Sequence, residues 1–482
     1  MKKLTSICLA AFLTAAAFTG CNSDYEPETV TSTCVAIRSF ALTKDDSVMA
    51  NLDTVFFSIN LEEGKIFNAD SLPFGTKVNK LVPRISFLET VSAATLTVTR
   101  DNGTDTTYNY VTNSTDSIDF TNPVKLNVIS YSGTASMTYE IKVNVHKVVS
   151  DSLEWAQSAS MPLPTALSGT PSQRTVKTAE GIYVLTASGS NYSIARADNP
   201  EADWTHYTPA FPAGVEYWTL SAGTSSLYII ANKTIYSSAD GGRTWTSTGA
   251  RATHLYGCYE DAVVGVFTEG STSTIVTYPE LGAQKALPAG MPVADTSVPV
   301  TVKYPLAAGP QIIFCGGTCA DGSLSASTWA FDGKSFADIS LVALPEPLKN
   351  TTIVPFFSFT VNNAFVATEH SVLLAFGGAT DSGVSDKTYI SFDFGMTWLE
   401  GSSLIQLPDY IPPFSMAQAY TYDRVLTPSR SMIWTAPSRA TAPVESWECP
   451  YIYIFGGVNR VGATQQKVWR GTLNRLEFKP II

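Results

Sequence analysis

Residues 181–188 read GIYVLTAS, and segments of the same kind recur downstream: SLYIIAN (226–232), AVVGVFTE (262–269), QIIFCGG (311–317), VLLAFGG (372–378) and YIYIFGG (451–457). Their starts lie 45, 36, 49, 61 and 79 residues apart. Each is short, apolar and rich in β-branched or aromatic residues, the pattern of a buried strand. A second marker, a hydrophobic residue followed by proline, falls at Met161-Pro162, Phe211-Pro212, Leu287-Pro288, Leu344-Pro345 and Leu407-Pro408. An aromatic precedes most of these (Trp155, Trp204, Phe336, Trp398), and Trp245 holds that place in the repeat without the proline. A repeat of strands and turns about 40–50 residues long reads as a propeller blade, not a helical solenoid unit. One four-stranded blade cannot cover its own apolar faces, whereas a ring of blades covers each face with the next.

The order of the markers says how such a ring closes. Trp155 and Met161-Pro162 form an outer-strand signature with no inner strand before it. The last unit, YIYIFGG followed by 468–473, leaves too little chain for its own outer strand. The segment 153–160 is therefore expected to supply the outer strand of the last blade, joining the two ends and protecting an open edge. Six inner-strand markers predict six blades over residues 150–482; five or seven stay open, because the spacing near 401–450 is loose. The region before it, 31–148, reads as a separate all-β domain. Its strand-like runs are TVFFSIN (54–60), ATLTVTR (94–100) and YEIKVNV (139–145), with turn signals at Asp101-Asn102-Gly103 and Ser132-Gly133. That strand density suggests a sandwich. The expected fold is all-β: an Ig-like β-sandwich followed by a six-bladed β-propeller.

The first 20 residues pair a basic start, Met1-Lys2-Lys3, with an uncharged apolar run, Leu4 to Phe18. That run is shorter than the roughly 20 residues of a membrane span, so it reads as a cleaved export signal. It ends in Phe18-Thr19-Gly20-Cys21, which resembles the lipobox of bacterial lipoproteins, with Phe18 in place of the usual leucine. The resemblance implies acylation of Cys21 and anchoring to the outer membrane by lipid. Residues 21–30 then form a polar tether, and its acidic residues resemble the export tag of surface-displayed lipoproteins of Bacteroidetes-type bacteria.

The chain carries 31 Lys and Arg against 42 Asp and Glu, a net charge of −11, with no basic cluster. That balance argues against nucleic acid as a partner. The four histidines, His146, His206, His254 and His370, are scattered, so neither a metal site nor any cofactor is expected. Past Cys21 the cysteines are Cys34, Cys258, Cys315, Cys319 and Cys449, an odd set without a disulfide rhythm. Cys315 and Cys319 lie close enough in sequence to pair, but free packing cysteines are the expectation.

Two segments share one pattern: SADGGRTW (238–245) and SFDFGMTW (391–398). Both resemble the Asp-box, S-x-D-x-G-x-T-W, of sialidase-like propellers. In that motif the carboxylates of Asp240 and Asp393 accept backbone N–H groups in a hairpin turn, Gly242 and Gly395 permit its geometry, and Trp245 and Trp398 pack between sheets. The role implied is structural, at the propeller rim. Phe314-Cys315-Gly316-Gly317, Phe376-Gly377-Gly378 and Phe455-Gly456-Gly457 resemble Kelch strands ending in a double glycine. Together these features are similar to an uncharacterised family of Bacteroidetes-type lipoproteins with an Ig-like front and a mixed Kelch/Asp-box propeller.

Two functions follow from the pattern. One is a binding protein holding a glycan or protein partner, with no catalytic residue. The other is a glycoside-processing enzyme. Sialidases need three clustered arginines and a Tyr/Glu nucleophile pair, and their Arg-Ile-Pro motif is missing; Pro83-Arg84-Ile85 is scrambled and lies in the front domain. The aromatic-rich insertion 401–450 offers Tyr410, Trp434 and Trp447 as ligand contacts, beside Tyr420 and Tyr422; the two tryptophans fit the core of the last blade equally well.

Overall fold

The computed structural model describes residues 31–68, 71–147, 149, 152–302, 309–361, 367–422 and 450–474. Among these the protein is all-β, with two single-turn 3-10 segments, Leu52–Thr54 and Gln157–Ala159. The candidate contacts Trp434 and Trp447, Cys449 and the lipid-site Cys21 lie outside the described residues.

In the front region six strands form one sheet in the order Ser58–Asn60, Lys65–Phe67, Ser136–Lys142, Val124–Ser130, Val91–Thr99, Asp105–Asn109. Ile37–Leu42 and Pro83–Phe87 form a separate antiparallel pair. Val124–Ser130 alternates, burying Val124, Leu126 and Val128 in a cluster with Phe40, Leu52 and Tyr139 and enclosing Ser130 at its end, while Lys125, Asn127 and Ile129 reach solvent. The run 54–60 does not make one strand. Asn51 takes a left-handed backbone, and both the N–H and the hydroxyl of Thr54 bond its carbonyl. That turn consumes the first residues, and only Ser58–Asn60 pairs.

The remaining described residues build six larger sheets. Sheet 1 contains, in order, Ser172–Thr178, Gly181–Ser188, Asn191–Ala197 and Thr205–Tyr207. Sheet 2 contains Val215–Ala222, Leu227–Ala231, Thr234–Ser238 and Thr246–Arg251. Sheet 3 has His254–Tyr259, Ala262–Glu269 and Thr272–Tyr278. Sheet 4 has Val300–Val302, Gln311–Thr318, Leu324–Phe331 and Phe336–Asp338. Sheet 5 has Thr352–Val361, Ala367–Phe376, Thr388–Ser391 and Leu399–Glu400. Sheet 6 runs Gln418–Tyr422, Tyr451–Phe455, Lys467–Asn474, and its outer edge is Ser152–Trp155 and Met161–Pro162 from the start of the region.

The six apolar segments are not the inner strands. Each is the second strand of its sheet, with another strand before it in the sheet order. Burial explains the confusion. In Gly181–Ser188, Ile182 and Val184 enter the cluster shared with sheet 6, while Tyr183 and Leu185 enter the cluster shared with sheet 2. In sheet 4, Ile312 and Phe314 face sheet 3 while Ile313 and Cys315 face sheet 5. Both faces are buried, so the segments read as continuous apolar runs instead of alternating ones. Each such side chain contributes about 1.5–3 kcal/mol of burial. Among the described residues every junction has its own cluster: 1–2, 2–3, 3–4, 4–5, 5–6 and 6–1.

The double glycines serve these junctions. Gly316 and Gly377 have φ of +64° and +56°, and a Cβ there would stand 2.2 and 2.1 Å from the carbonyl oxygens of Leu348 and Phe414 in the chain entering the next sheet. The second glycine of each pair donates its N–H to that same oxygen. Just after this contact, Asp295, Asn350 and Met416 each take a left-handed backbone. Asn350 N–H bonds Asp295 O at 2.7 Å, and Met416 N–H bonds Asn350 O at 2.9 Å.

Between sheets 6 and 1 side chains take over. Gln173 Nε2 donates to Phe455 O at 3.1 Å, and its Oε1 accepts from Thr175 Oγ1 at 3.0 Å. Gln418 Oε1 accepts from Thr175 N–H at 2.8 Å, and Tyr420 Oη donates to Thr175 O at 2.9 Å. An inner edge strand has no partner strand for these backbone groups, and buried groups need partners. Gln173→Leu is therefore expected to lower unfolding stability by about 1–3 kcal/mol, read by urea denaturation. The same change at exposed Gln157 should move the midpoint little, and an unaltered midpoint for Gln173→Leu would remove the amide seam as a stabilising element.

Candidate functional site

The inner edges of the sheets run beside one another. Ser172–Thr178 lies against Val215–Ala222, which lies against His254–Tyr259; Thr352–Val361 lies against Gln418–Tyr422, which returns to Ser172–Thr178. Two of these edges are irregular: His254–Tyr259 bulges by one residue between Leu255 and Gly257, and Val215–Ala222 departs further. Glu216 pairs with Ile230 and Ser221 with Tyr228, so Tyr217, Trp218, Thr219 and Leu220 stand opposite Ile229 alone. Thr219 Oγ1 fills the broken ladder, accepting from Ile230 N–H at 2.9 Å and donating to Glu216 O at 2.7 Å. Of the surplus residues Thr219 and Leu220 stay buried, and Leu220 joins the cluster between sheets 1 and 2. Trp218 emerges 46% exposed, edge-on to Tyr217 with ring centroids 5.2 Å apart. Bulges of this kind re-aim side chains, often beside functional sites.

Leu220, at the foot of the bulge, accepts a hydrogen bond at 3.3 Å from Arg174 Nε across the sheet 1–2 junction. Burial lowers the pKa of Arg174 from its ordinary value, with Tyr420 acting in the opposite sense; a guanidinium still stays charged. His254 shares a 2.9 Å hydrogen bond with Thr296 Oγ1. Burial pulls its pKa down to about 4, Asp295 raising it and Arg174 lowering it further. Arg174 of sheet 1, His254 of sheet 3 and Asp295 of the segment between sheets 3 and 4 are therefore neighbours, with His254 neutral at pH 7 and Arg174 a cation.

The two turns with the shared pattern lie elsewhere, between the third and outermost strands of sheets 2 and 5. In the first, Asp240 Oδ1 accepts from Arg243 N–H and Thr244 N–H at 3.0 Å each, and Oδ2 accepts from Thr244 Oγ1 at 2.6 Å. Ser238 Oγ donates to Asp240 Oδ1 at 2.7 Å and accepts from Gly242 N–H at 2.8 Å. The second repeats the core of this: Thr397 N–H to Asp393 Oδ1, Ser391 Oγ to Asp393 Oδ1 and Gly395 N–H to Ser391 Oγ, all at 2.8 Å. The tryptophans differ. Trp398 is buried and donates across the junction to Thr328 Oγ1 at 2.8 Å. Trp245 donates within its own turn to Gly242 O at 3.0 Å. Each turn also bridges the chain leaving the preceding sheet, Thr244 with Ala210 and Thr397 with Val342.

Tyr410 does not face the inner edges. Its hydroxyl donates to Trp155 O at 2.7 Å and its ring packs 6.1 Å from Trp469, tying the loop to the outer edge of sheet 6. Tyr420 and Tyr422 belong to the inner strand Gln418–Tyr422. Cys34, Cys258, Cys315 and Cys319 are free thiols. Burial pushes the Cys315 thiol up to about 12, so it packs as a neutral group. Trp218 and Arg174 escaped sequence reading. The signal for them was faint: adjacent aromatics inside VEYWTLSA, which alternate with nothing, and an arginine within SQRTVKT.

Residues 149–481 match the family model described as the DUF6242 beta propeller domain, and residues 29–143 match its N-terminal domain. The chain belongs to the DUF6242 family. The six sheets, the bulge, Arg174 and both Asp turns thus fall within the DUF6242 beta propeller domain. A search of curated proteins found no match.

Among the described residues, this propeller domain also contains two Tyr–Glu hydrogen bonds. Tyr389 Oη donates to Glu346 Oε1 at 2.5 Å, and Tyr453 Oη donates to Glu201 Oε1 at 2.8 Å. Both rings are buried at sheet junctions, 4–5 and 6–1, where burial raises their pKa.

The Asp240 carboxylate sets an acid-stability test. Burial alone would lift its pKa, but the bonds from Thr244, Ser238 and Arg243 outweigh it and hold it at about 2, below the ordinary 3.8. A depressed folded pKa gives stability that is complete above the unfolded value and lost as pH falls through the folded one. Asp240→Asn should therefore cost most at neutral pH, with the gap to wild type in melting temperature narrowing between about pH 4 and pH 2. A gap that stays constant over that window would show that the charge is not what the turn uses.

Proposed function

We propose that the protein is an envelope-anchored binding scaffold whose propeller holds a glycan at its inner edge. The observation that carries this reading is Trp218, an indole left half-exposed on a bulge of an innermost strand. An aromatic face on a rigid scaffold stacks on the C–H face of a sugar ring, and bulk apolar burial is not needed for it. The six junction clusters, including the one between sheets 6 and 1, support a closed six-bladed ring. So does the pairing of Ser152–Trp155 with Lys467–Asn474 at its two ends. The paired Asp turns and double glycines fit a mixed Asp-box and Kelch propeller.

The front region, with six strands facing two across one core, acts in this reading as an Ig-like sandwich spacer. It holds the ring away from an outer membrane to which acylated Cys21 anchors the chain at the cell surface. A glycosidase reading has less support, because the tyrosines of both Tyr–Glu contacts have rings packed into sheet junctions and the Arg-Ile-Pro motif of sialidases is missing. A protein ligand remains an outcome of the test.

Two experiments decide the proposal. The full chain on an immobilised polysaccharide panel should retain at least one glycan without releasing sugar. Trp218→Ala should weaken retention at least about tenfold, in line with about 1.4 kcal/mol or more from a stacked aromatic. Released sugar would make the protein an enzyme, and unaltered retention by Trp218→Ala would move the site elsewhere. For the anchor, cells fed an alkyne fatty acid should label the wild-type chain but not Cys21→Ser; equal labelling of both removes Cys21 from the proposal.

A further inference from the structure

Resting on the glycan reading above, we infer that the ligand is an acidic saccharide of the uronic acid class, with its carboxylate held by Arg174 and its ring on Trp218. Two side chains from neighbouring sheets converge on one bulge. Trp218 sits on it, and Arg174 bonds Leu220 at its foot through Nε alone. That bond fixes the plane of the guanidinium. Among the described residues no group accepts a hydrogen bond from Nη1 or Nη2, and no carboxylate forms an ion pair with this arginine. Two parallel N–H donors in one plane match the two oxygens of a carboxylate, which a single ammonium does not.

The surroundings leave this charge unanswered. His254 is neutral, its ring nitrogen shared with Thr296. The Asp295 carboxylate accepts from Thr318 Oγ1 at 3.1 Å. Tyr420 spends its hydroxyl on Thr175 O. Glu216 begins the bulge, and burial raises its carboxyl pKa, with Lys233 opposing. A cation hemmed in by protein without a partner carries a desolvation cost that an incoming anion offsets. A uronic acid carries its carboxylate at the edge of a ring whose C–H face can stack, so one such residue can address an indole and a guanidinium together. The chain as a whole is acidic, with a net charge of −11. A local arginine, not the overall field, must therefore select the anion.

The test is calorimetric titration of the full chain with a galacturonic acid oligosaccharide and with its carboxyl-reduced, neutral counterpart. The wild type is expected to prefer the acid by about 10- to 100-fold, the range of a charge-assisted bidentate bond. Arg174→Gln should reduce the preference to about twofold while leaving affinity for the neutral sugar in place. Arg174→Lys, which keeps the charge but not the fork, should fall between. Trp218→Ala should weaken both sugars together. Thermal melts check that each variant folds; should Arg174→Gln not fold, acetate competition against the wild type decides, displacing the acid and not the neutral sugar. Equal affinity for both sugars, or a preference that survives Arg174→Gln, overturns the acidic-sugar inference and leaves the glycan reading standing. Binding of neither sugar overturns the acidic-sugar inference, and retention of no glycan on the polysaccharide panel as well overturns the glycan reading.

Discussion

Every second strand of the six large sheets is buried on both faces, and a sheet cannot cover its own faces. That is the constraint on which the rest depends. Odd and even residues of Gly181–Ser188 go to different neighbours, and the same split recurs in Gln311–Thr318 and Tyr451–Phe455. Each sheet thus needs two partners. Among the described residues each of the six has apolar clusters on both sides. The strands Ser152–Trp155 and Met161–Pro162 meet that need by crossing to the far end of the chain.

Stacking of this kind solves the faces but not the inner edges. Those strands have a ladder on one side only, so their other N–H and C=O groups need partners. The protein uses three devices. Backbone meets backbone where Asp295, Asn350 and Met416 take left-handed conformations. Gln173, Gln418 and Tyr420 supply side chains where sheet 1 meets sheet 6. In sheet 2 a threonine hydroxyl replaces the missing rung where four residues stand opposite one, and Trp218 reaches solvent. The proposed binding site is a consequence of that third device. An edge that has no strand partner on one side gives the backbone room to bulge.

Much of the architecture was legible in the sequence because it is written in buried side chains. The six apolar runs, the pairing of the region's ends and the two Asp turns all depend on residue types that few other environments tolerate. Even there the reading slipped by one strand. The innermost strands, such as SQRTVKT and VEYWTLSA, carry polar or irregular residues because they border an open edge, so they gave no periodic signal. In the front region TVFFSIN looked like a strand because its aromatics alternate, but a turn at Asn51 takes its first half. Tyr410 was selected for its residue type, yet its hydroxyl belongs to Trp155.

From the chain's order of residues alone came the all-β class, the repeat, and the expectation that the first strand completes the last sheet. These follow from periodicity and burial, which are properties of a segment. Which strand lies innermost, which amides sew sheet 1 to sheet 6, and the meeting of Arg174 with the bulge of Trp218 came only from the tertiary structure. Residues 174 and 220 belong to different sheets, and nothing local to either one encodes a contact between them. Such a contact exists only once both junction faces have packed and the two edges are held side by side.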